Sequence, residues 1–236
     1  MRVAGSSLDG VQEGHRDLPA GVIFDCDGTL ADTETLSARV WRDVLARRGI
    51  EVTAADHAAI IGRAWPAGFD HFSARGDLGD VDSFRAELRE QAGATFDAEL
   101  RLFPDVVATL RAFVAEGVPV AVASSSTRSH VSRCLDREDL RDLVTAIVGA
   151  DDVEDHKPDP APYLAAAAAL GVPASRCTAV EDTPIGLASA RAAGTYTVAI
   201  VRGVFEPSQL DDADLVVDEI TPAALVPPAA WVSPAA

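Results

Sequence analysis

Cysteine is scarce in this sequence, and the three residues that occur, Cys26, Cys134 and Cys177, lie far apart along the chain. Thiols spaced so widely fit neither a disulfide framework nor a zinc site. A cysteine-dependent phosphatase loop would need an arginine six positions after its cysteine, and those positions hold aspartate, leucine and threonine. We therefore expect the three thiols to be small core residues.

Long apolar runs and basic residues are also in short supply. No stretch offers the roughly 20 apolar residues of a membrane-spanning helix, and residues 1–18 lack the apolar segment of a signal peptide. Lysine and arginine number 20 against 37 aspartates and glutamates, so the net charge is −17. Such a surface repels nucleic-acid phosphates and anionic membranes. We expect a cytoplasmic protein, a monomer or a homodimer, that binds neither nucleic acid nor membranes.

The chain does contain enough apolar sequence for one core with an inserted subdomain, since hydrophobic residues make up 48% of its 236 residues. Residues 33–100 carry helical patterns and no convincing strand. On either side, short apolar runs are separated by helical patterns, and we predict strands at 21–24, 118–123, 143–148, 178–180, 196–201 and 215–217. This alternation predicts an α/β fold with a Rossmann-like, doubly wound parallel sheet.

The same patterns predict how the chain is divided. Residues 19–32 and 101–225 would form the α/β core, and residues 33–100 would form an α-helical cap inserted into it. Residues 1–18 are expected to be disordered. The tail from about Thr221 onward is rich in proline and alanine, and we expect it, residues 226–236 above all, to pack loosely.

Acidic, hydroxyl and lysine residues follow the predicted strands at the points where the strands end. In strand order they are Asp25 with Asp27, Ser124 with Ser125, Lys157 by way of a loop, and Glu181 with Asp182. Ligands of open α/β sheets bind beyond the carboxyl ends of the strands. We therefore expect these side chains to converge on one rim of the sheet.

That set of residue types suits phosphoryl transfer. A carboxylate can attack phosphorus and form an aspartyl-phosphate, and a second acid can protonate the leaving oxygen and later deprotonate water. Mg²⁺ prefers oxygen ligands such as carboxylates, phosphate oxygens and water. A lysine and a hydroxyl can hold the phosphoryl oxygens. The predicted partner is a small phosphorylated metabolite.

Four segments, in order, resemble the motifs of the haloacid dehalogenase superfamily. Residues 25–30, Asp-Cys-Asp-Gly-Thr-Leu, resemble its first motif, Asp-x-Asp-Gly-Thr-Leu. A strand ending at Ser124 resembles the second, Lys157 before a proline the third, and Glu-Asp-Thr-Pro at 181–184 the fourth. The helical insertion resembles the cap of the branch that contains phosphoglycolate phosphatases, sugar-phosphate phosphatases and β-phosphoglucomutase.

The resemblance implies a role for each matching residue. Asp25 would be the nucleophile and a Mg²⁺ ligand, and Asp27 the general acid and base, with its backbone carbonyl on the metal. Ser124, and with it Ser125, would bind the phosphoryl group. Lys157 would link the phosphate and Asp25. Asp182 would ligate Mg²⁺, with Glu181 assisting directly or through water.

The cap residues carry fewer signals. Arg63 follows a glycine in a segment that resembles a substrate-facing loop of relatives, so it is a candidate contact to the far end of the substrate. Trp65, Phe69, His71 and Phe72 are expected to form the cap core. We expect His57 to be a surface residue on its helix.

The predicted activity is that of a Mg²⁺-dependent phosphatase, and three alternatives stay open. β-Phosphoglucomutases usually carry a histidine where this chain has Ser37 and an arginine where it has Trp65, which disfavours that interpretation without excluding it. Haloacid dehalogenases lack the second aspartate of the first motif and need no metal, so Asp27 argues against them. A non-catalytic binding protein would tolerate loss of Asp25 or Asp27, and both are present.

Overall fold

The computed structural model describes residues 18–61, 63, 65–229, 231 and 233, so the segment 1–17, predicted to be disordered, lies outside the described residues. Within that part of the chain, six parallel strands form one sheet in the order β3-β2-β1-β4-β5-β6. The strands are β1 (Gly21–Phe24), β2 (Val120–Ala123), β3 (Ala146–Val148), β4 (Cys177–Glu181), β5 (Tyr196–Ile200) and β6 (Leu215–Val217). The predicted doubly wound α/β fold is confirmed.

Helices cover both faces of this sheet because its strands are apolar on both sides. The covering helices are α5 (Pro104–Ala115), α6 (Arg128–Asp136), α7 (Ala161–Leu170) and α8 (Pro184–Ala192). Val22 and Phe24 of β1 pack in the core cluster that also contains residues of α5 and α6, whereas Ile23 packs with residues of α7 and α8. The alternation of side chains along β1 thus supplies both faces.

Four further helices lie between β1 and α5 and form the cap of the molecule. They are α1 (Glu34–Ala46), α2 (Ala54–Ile60), α3 (Trp65–Ser73) and α4 (Val81–Glu99). Their core is aromatic, since Trp41 of α1 lies 5.3 Å from Phe72 and 5.9 Å from Phe84 between ring centroids. A side chain at Gly68 would meet the Trp41 ring, so the glycine lets α3 approach α1 closely.

The prediction of cap-core residues is correct for three of them. Phe72 is fully buried, and Trp65 and Phe69 are partly buried and pack against the core. His71 was wrongly assigned to that core. It points to the rim of the cap, where its Nε2 lies 2.9 Å from a carboxylate oxygen of Asp56. A polar imidazole gains a partner there that the aromatic interior does not offer.

The cap joins the sheet domain through two neighbouring segments. The backbone N–H of Asp32 donates to the carbonyl of Arg101 at 2.9 Å, and Ala31 forms an antiparallel bridge with Leu102. Both crossings therefore lie side by side next to the end of β1. This arrangement sets the cap over the carboxyl ends of the strands.

The described part of the C-terminal tail does not pack loosely, so that expectation was wrong. Leu225 is fully buried, and its carbonyl accepts a hydrogen bond of 2.8 Å from Thr178 of β4. Farther on, Trp231 Nε1 donates to Asp214 at 3.1 Å and Ser233 Oγ to the carbonyl of Gly194 at 2.7 Å. Apolar side chains among the prolines thus anchor the tail. The described helices include none with the length and apolar character that crossing a membrane requires.

Candidate active site

The predicted residues meet at the carboxyl edge of the sheet. The parallel register pairs Phe24 of β1 with Val122 of β2 and Val180 of β4. The residues that follow these positions therefore emerge at one level. Asp25, Ser124, Glu181 and Asp182 lie there as buried polar side chains, and Lys157 enters from the loop before α7.

Lys157 is the positive centre of this edge. Its buried Nζ donates to Asp25 Oδ1 at 2.5 Å, to Glu181 Oε1 at 2.6 Å and to the carbonyl of Ala123 at 3.1 Å. Burial disfavours the ammonium, but the two carboxylates outweigh it and raise the pKa of Lys157 above its usual range. The lysine is therefore a permanent cation that holds Asp25 in place.

One lysine does not neutralise the three carboxylates around it. Oxygens of Asp25, Glu181 and Asp182 lie within 4.8 Å of one another. Burial, together with Glu181 and Asp27, raises the pKa of Asp25 to about 8 although Lys157 opposes the shift. Burial and the charges of Asp25 and Glu181 likewise raise the pKa of Asp182 well above its ordinary value. The cluster carries excess negative charge that a bound cation would relieve.

The two carboxylates of the fourth motif are held differently. Glu181 Oε1 accepts from Lys157 and from the Tyr163 hydroxyl at 2.7 Å, and Oε2 accepts from the Thr183 hydroxyl at 3.1 Å. Asp182 Oδ1 accepts from the Thr29 hydroxyl at 3.1 Å, but its buried Oδ2 has no hydrogen-bond partner among the described residues. An unpartnered carboxylate oxygen beside Asp25 fits a hard divalent cation, since such ions are bound through oxygen. Glu181, whose oxygens are already occupied, orients Lys157.

Two glycines make room for these carboxylates. A Cβ on Gly28, whose φ is +84°, would lie 2.1 Å from Asp182 Oδ2, and a Cβ on Gly186 would lie 1.9 Å from Glu181 Oε1. Only glycine fits where a carboxylate passes this close to the backbone.

Asp27 lies beside this cluster in a different environment. Its Oδ2 accepts from Ser124 Oγ at 3.2 Å, and its Oδ1 lies 3.0 Å from His130 Nε2. Burial alone would raise the pKa of Asp27, but the charge and hydrogen bond of His130 outweigh it and hold that pKa far below its usual range. The pKa of His130 is in turn raised well above its ordinary value against the effect of burial, by Asp27.

His130 was missed by the sequence reasoning because its 103-residue separation from Asp27 carries no local pattern. A signal did exist. The histidine lies in the first turn of α6, whose N-cap is Thr127, directly after the serine cluster that follows β2. A first-turn residue of a helix that starts at the functional edge was a candidate for reaching the site.

A family model described as haloacid dehalogenase-like hydrolase matches residues 22–200. The chain belongs to this family. A CBBY-like protein of Arabidopsis thaliana is 33% identical to the hydrolase over 221 residues, which cover 85% of this chain and 69% of the relative. The fructose-1-phosphate phosphatase YqaB of Escherichia coli is 31% identical over 185 residues, with 77% of this chain and 96% of that enzyme covered.

Among solved structures, the crystal structure of a putative β-phosphoglucomutase from Thermotoga maritima is similar to the hydrolase, with a TM-score of 0.68 and 27% identity. The match covers 84% of this chain and 93% of that one. The family that the four motifs predicted is therefore confirmed, and with it the class of phosphoric monoester hydrolases.

A cavity of about 440 Å³ separates the cap of the hydrolase from the sheet edge. Asp25, Asp27 and Ser125 line its floor, so the predicted phosphate-binding region opens into it. Ser124 lies just behind them, buried, where its Oγ bonds Asp27 and accepts from the Ser126 N–H at 2.9 Å. Arg63 lines the cavity from its exposed position on the cap.

The roof of the cavity carries polar groups that the sequence did not single out. Buried and without a hydrogen-bond partner among the described residues are Trp65 Nε1 of α3, Arg85 Nε of α4 and His57 Nε2 of α2. The expectation that His57 is a surface residue was wrong. Its side chain is only 13% exposed because α2 leans on the start of α1, which brings its Nε2 to 3.6 Å from Glu34 Oε2.

Glu34 completes the wall between roof and floor. Burial, followed by the charges of Asp27, Asp25 and Asp32, raises the pKa of Glu34 to about 8. Because its carboxyl group is protonated below that value, it can donate as well as accept a hydrogen bond inside the cavity.

Proposed function

We propose that this hydrolase is a Mg²⁺-dependent phosphatase that cleaves a small phosphate monoester of the sugar-phosphate class through an aspartyl-phosphate on Asp25. The observation that carries the proposal is the position of the Asp25 carboxylate. It lies at the floor of the cavity, held by Lys157 at 2.5 Å and next to the unpartnered Oδ2 of Asp182.

In the first step, an Asp25 oxygen attacks phosphorus and the bond from phosphorus to the ester oxygen breaks. The leaving oxygen takes its proton from the carboxyl group of Asp27. In the second step, water attacks the phosphorus of the aspartyl-phosphate and Asp27 accepts a proton from that water. Inorganic phosphate leaves and both carboxyl groups return to their starting states.

The neighbours of these two residues supply charge and position. Lys157 keeps Asp25 aligned and neutralises the incoming phosphoryl oxygens, while Ser125, and Ser124 once its hydroxyl turns from Asp27, donate hydrogen bonds to them. Mg²⁺ would be held by Asp25, Asp182 and the backbone carbonyl of Asp27, with Glu181 assisting through water, and would offset the charge of carboxylates and phosphate.

His130 is a positioning residue in this scheme. It acts through Asp27, because its imidazolium orients that carboxylate at 3.0 Å and stabilises the ionised form that Asp27 takes between the first and second steps. That state is the one required to accept a proton from water.

The substrate class follows from the roof of the cavity. The volume of about 440 Å³ suits a small metabolite. Trp65 Nε1 and Arg85 Nε offer unused donors, and a buried donor without a partner is costly, so we assign them to hydroxyl or carbonyl oxygens at the far end of the substrate. Arg63 serves that end as well. The relative named for fructose 1-phosphate points to the same class.

The test is release of inorganic phosphate from a panel of sugar phosphates and glycolate phosphate, with and without Mg²⁺. We expect Mg²⁺-dependent release from at least one sugar phosphate and none from the Asp25→Asn variant. Activity that survives exhaustive removal of divalent cations would contradict the metal assignment. Failure with every phosphate ester would contradict the proposed function.

A phosphomutase is the second candidate, since the similar Thermotoga structure carries the name of a putative β-phosphoglucomutase. Ser37 and Trp65, where such enzymes usually carry histidine and arginine, both line the cavity, and this favours the phosphatase. Incubation with β-glucose 1-phosphate and a bisphosphate activator decides the matter. Accumulation of the 6-phosphate without release of inorganic phosphate would reverse the ranking.

The remaining expectations belong to the same proposal. We assign residues 19–32 and 101–225 to the catalytic core and 33–100 to a cap that covers the substrate. The three cysteines are free thiols that form no disulfide, which is in keeping with a reducing, cytoplasmic location. A monomer or a homodimer would serve this mechanism equally, because every residue assigned to it comes from one chain.

A further inference from the structure

Two of the three cysteines meet next to the proposed proton-transfer residue. Cys26 Sγ, Cys134 Sγ and His130 Nε2 lie within 4.8 Å of one another, and the distance from Cys134 Sγ to His130 Nε2 is 3.6 Å. Both thiols are fully buried in the core, as expected, but their wide spacing in sequence does not keep them apart, because α6 returns Cys134 to the end of β1.

The three atoms are the donor set of a transition-metal site. Two sulfurs and one imidazole nitrogen are ligands that Zn²⁺ and other thiophilic cations prefer over oxygen-only sites. Tetrahedral coordination with Zn–S near 2.3 Å and Zn–N near 2.0 Å sets the ligand atoms roughly 3.4–3.8 Å apart. Since the atoms of this cluster are separated by up to 4.8 Å, they need to approach one another by at most about 1.4 Å.

A candidate fourth ligand lies next to the cluster. Asp27 Oδ1 lies 3.0 Å from the same His130 nitrogen that faces Cys134. Asp27 is not among the ligand atoms that lie within 4.8 Å of one another, so its carboxylate would turn toward a cation held by the two sulfurs and this nitrogen. Structural zinc sites are usually closed by four such ligands.

The cluster is also reachable from outside the substrate cavity. A smaller cavity of about 180 Å³ opens between α4 and α6 and is lined by Cys134 and His130 together with Phe96, Leu100, Arg133 and Arg137. His130 lines both cavities, so a cation entering through the smaller one need not pass the acidic cluster around Asp25.

We propose that Cys26, His130 and Cys134 form a second metal site, selective for thiophilic divalent cations such as Zn²⁺, which captures Asp27 as its fourth ligand and thereby inhibits the enzyme. Binding releases three protons to solvent, two from the thiols and one from His130 Nε2, and the loss of the last breaks the hydrogen bond between His130 and Asp27. No electron is transferred. The site is distinct from the oxygen-ligand centre of Asp25 and Asp182, which has no sulfur within its donor set.

The absorption spectrum of bound Co²⁺ tests whether the metal site exists. This part of the proposal is independent of the proposed function. With Mg²⁺ saturating, one equivalent of Co²⁺ should produce a thiolate-to-cobalt charge-transfer band and the intense visible bands of a tetrahedral site, and Zn²⁺ should abolish both. Cys134→Ala should lose these bands. Cys177→Ala is the matched control, since it removes a buried thiol that lies outside the cluster, and it should keep them.

Absence of the charge-transfer band in the wild-type protein, or its persistence in Cys134→Ala, would overturn the site. Circular dichroism establishes that each variant is folded. If Cys134→Ala is not, Cys134→Ser and Cys26→Ala replace it, with the same loss of the cobalt bands expected in both.

The inhibitory half rests on the proposed phosphatase function. In assays with Mg²⁺ saturating, Zn²⁺ should inhibit the wild-type enzyme and Cys177→Ala at concentrations at least ten-fold lower than those that inhibit Cys134→Ala, and a chelator should restore activity. Equal inhibition of all three would place the effect at the Asp25 centre and overturn the inhibitory role. If the wild-type enzyme hydrolyses no phosphate ester, the proposed function fails while the cobalt bands still decide the site.

Discussion

Neighbouring carboxyl groups at the sheet edge lie in different charge environments, and their pKa values differ accordingly. Asp25 and Asp182 share a crowded negative pocket, which raises the pKa of both carboxyl groups. Asp27 stands two residues from Asp25 but faces His130, and the pKa of its carboxyl group is lowered instead. The surroundings of Asp25 and Asp27 therefore shift the pKa values of two neighbouring carboxyl groups in opposite directions.

Gly28 tests how closely Asp182 must be held. In Gly28→Ala the new Cβ would collide with Asp182 Oδ2, so the carboxylate must move away from the proposed metal position. We expect the Mg²⁺ concentration for half-maximal activity to rise about ten-fold or more, with unfolding easier by about 1–2 kcal/mol because of the positive φ.

The matched control is Gly49→Ala. Gly49 has a φ of +70°, and a Cβ added to it would meet no atom of the described residues within 4 Å, so this change imposes the backbone strain without touching a carboxylate. It should lower stability and leave the Mg²⁺ dependence unaltered. Equal Mg²⁺ dependence in both variants would show that Asp182 does not bind the activating ion.

His130→Gln tests the control of Asp27. Glutamine can still donate a hydrogen bond but carries no charge, so the pKa of Asp27 should rise toward its ordinary value. A carboxyl group that must be protonated to assist the leaving oxygen then stays protonated to higher pH. The descending, alkaline limb of the kcat/KM profile should therefore move upward in pH.

His71→Gln is the control for this measurement, because His71 pairs with Asp56 on the cap and lies outside the residues that line the cavity. Its profile should match that of the wild-type enzyme. An alkaline limb that stays in place in His130→Gln, or moves to lower pH, would remove His130 from the mechanism.

At the level of elements, the helix starts beside the strand ends determine where polar groups emerge. α8 begins after Thr183, whose side chain accepts from the Gly186 N–H, with Pro184 as its first residue. α5 also begins with a proline, at Pro104. Such starts are well stabilised, and they hold the loops of the sheet edge at fixed lengths.

Asp105 in the first turn of α5 carries much of the attachment of the C-terminal segment. Its carboxylate accepts from Arg202 Nη2 at 2.9 Å and from the Ile220 N–H at 2.9 Å. Burial opposes the effect, but these bonds lower the pKa of Asp105. Asp105→Asn should therefore reduce the free energy of unfolding at pH 7 by about 1–2 kcal/mol.

The pH dependence follows from the sign of that shift. A lowered pKa in the folded state stabilises the protein above the ordinary aspartate value of about 3.9, and the contribution is lost as the pH falls below it. Urea unfolding at pH 7 and below pH 4 should show the difference between the wild-type protein and Asp105→Asn shrinking with acid. Asp82→Asn, in the first turn of α4 and without an ion pair among the described residues, should change little at either pH.

Element boundaries were most predictable where glycine or proline interrupts an apolar run. β1 and β6 begin and end where the sequence predicts, and α7 ends before Gly171, which has the left-handed conformation. α3 was not predicted as a separate helix. Pro66 and Gly68 weaken its helical pattern, and the packing of Gly68 against Trp41, which no local pattern encodes, accounts for it.

The residues of the candidate site were most predictable from the sequence where they directly follow a strand. Asp25, Ser124 and Asp182 each directly follow a strand, so the sheet alone brings them together. His130, Glu34 and Tyr163 reach the site from helices, and their positions depend on how those helices lie against the sheet. Meeting points of that kind are set by tertiary packing rather than by local sequence.

At the scale of the whole molecule, the cap and the sheet edge enclose one cavity and are joined by two adjacent segments. Those segments are tied by the bond from Asp32 to Arg101 and the bridge from Ala31 to Leu102. A cap on two neighbouring connections can tilt over the site without breaking the core. Closure of this kind would exclude water from the first step.

Hydrogen exchange measures that closure. With Mg²⁺ and orthovanadate, an analogue of the phosphoryl group, amides of α2 and α3 should exchange several-fold more slowly, because both helices line the cavity. Amides of β6, the edge strand of the sheet, should be unchanged, because none of its residues lines the cavity. Identical exchange of the cap with and without the analogue would contradict closure.

The covalent intermediate is the central claim, and it is best tested on the enzyme during turnover. Wild-type enzyme is quenched in acid while hydrolysing a sugar phosphate with Mg²⁺, and borohydride then reduces any aspartyl-phosphate to homoserine. Mass spectrometry of the digested protein should find homoserine at position 25 only when substrate was present, and Asp25→Asn should lose about 10⁴-fold or more in kcat. Asp25 left unmodified throughout rapid turnover, or an Asp25→Asn variant with wild-type activity, would contradict the account.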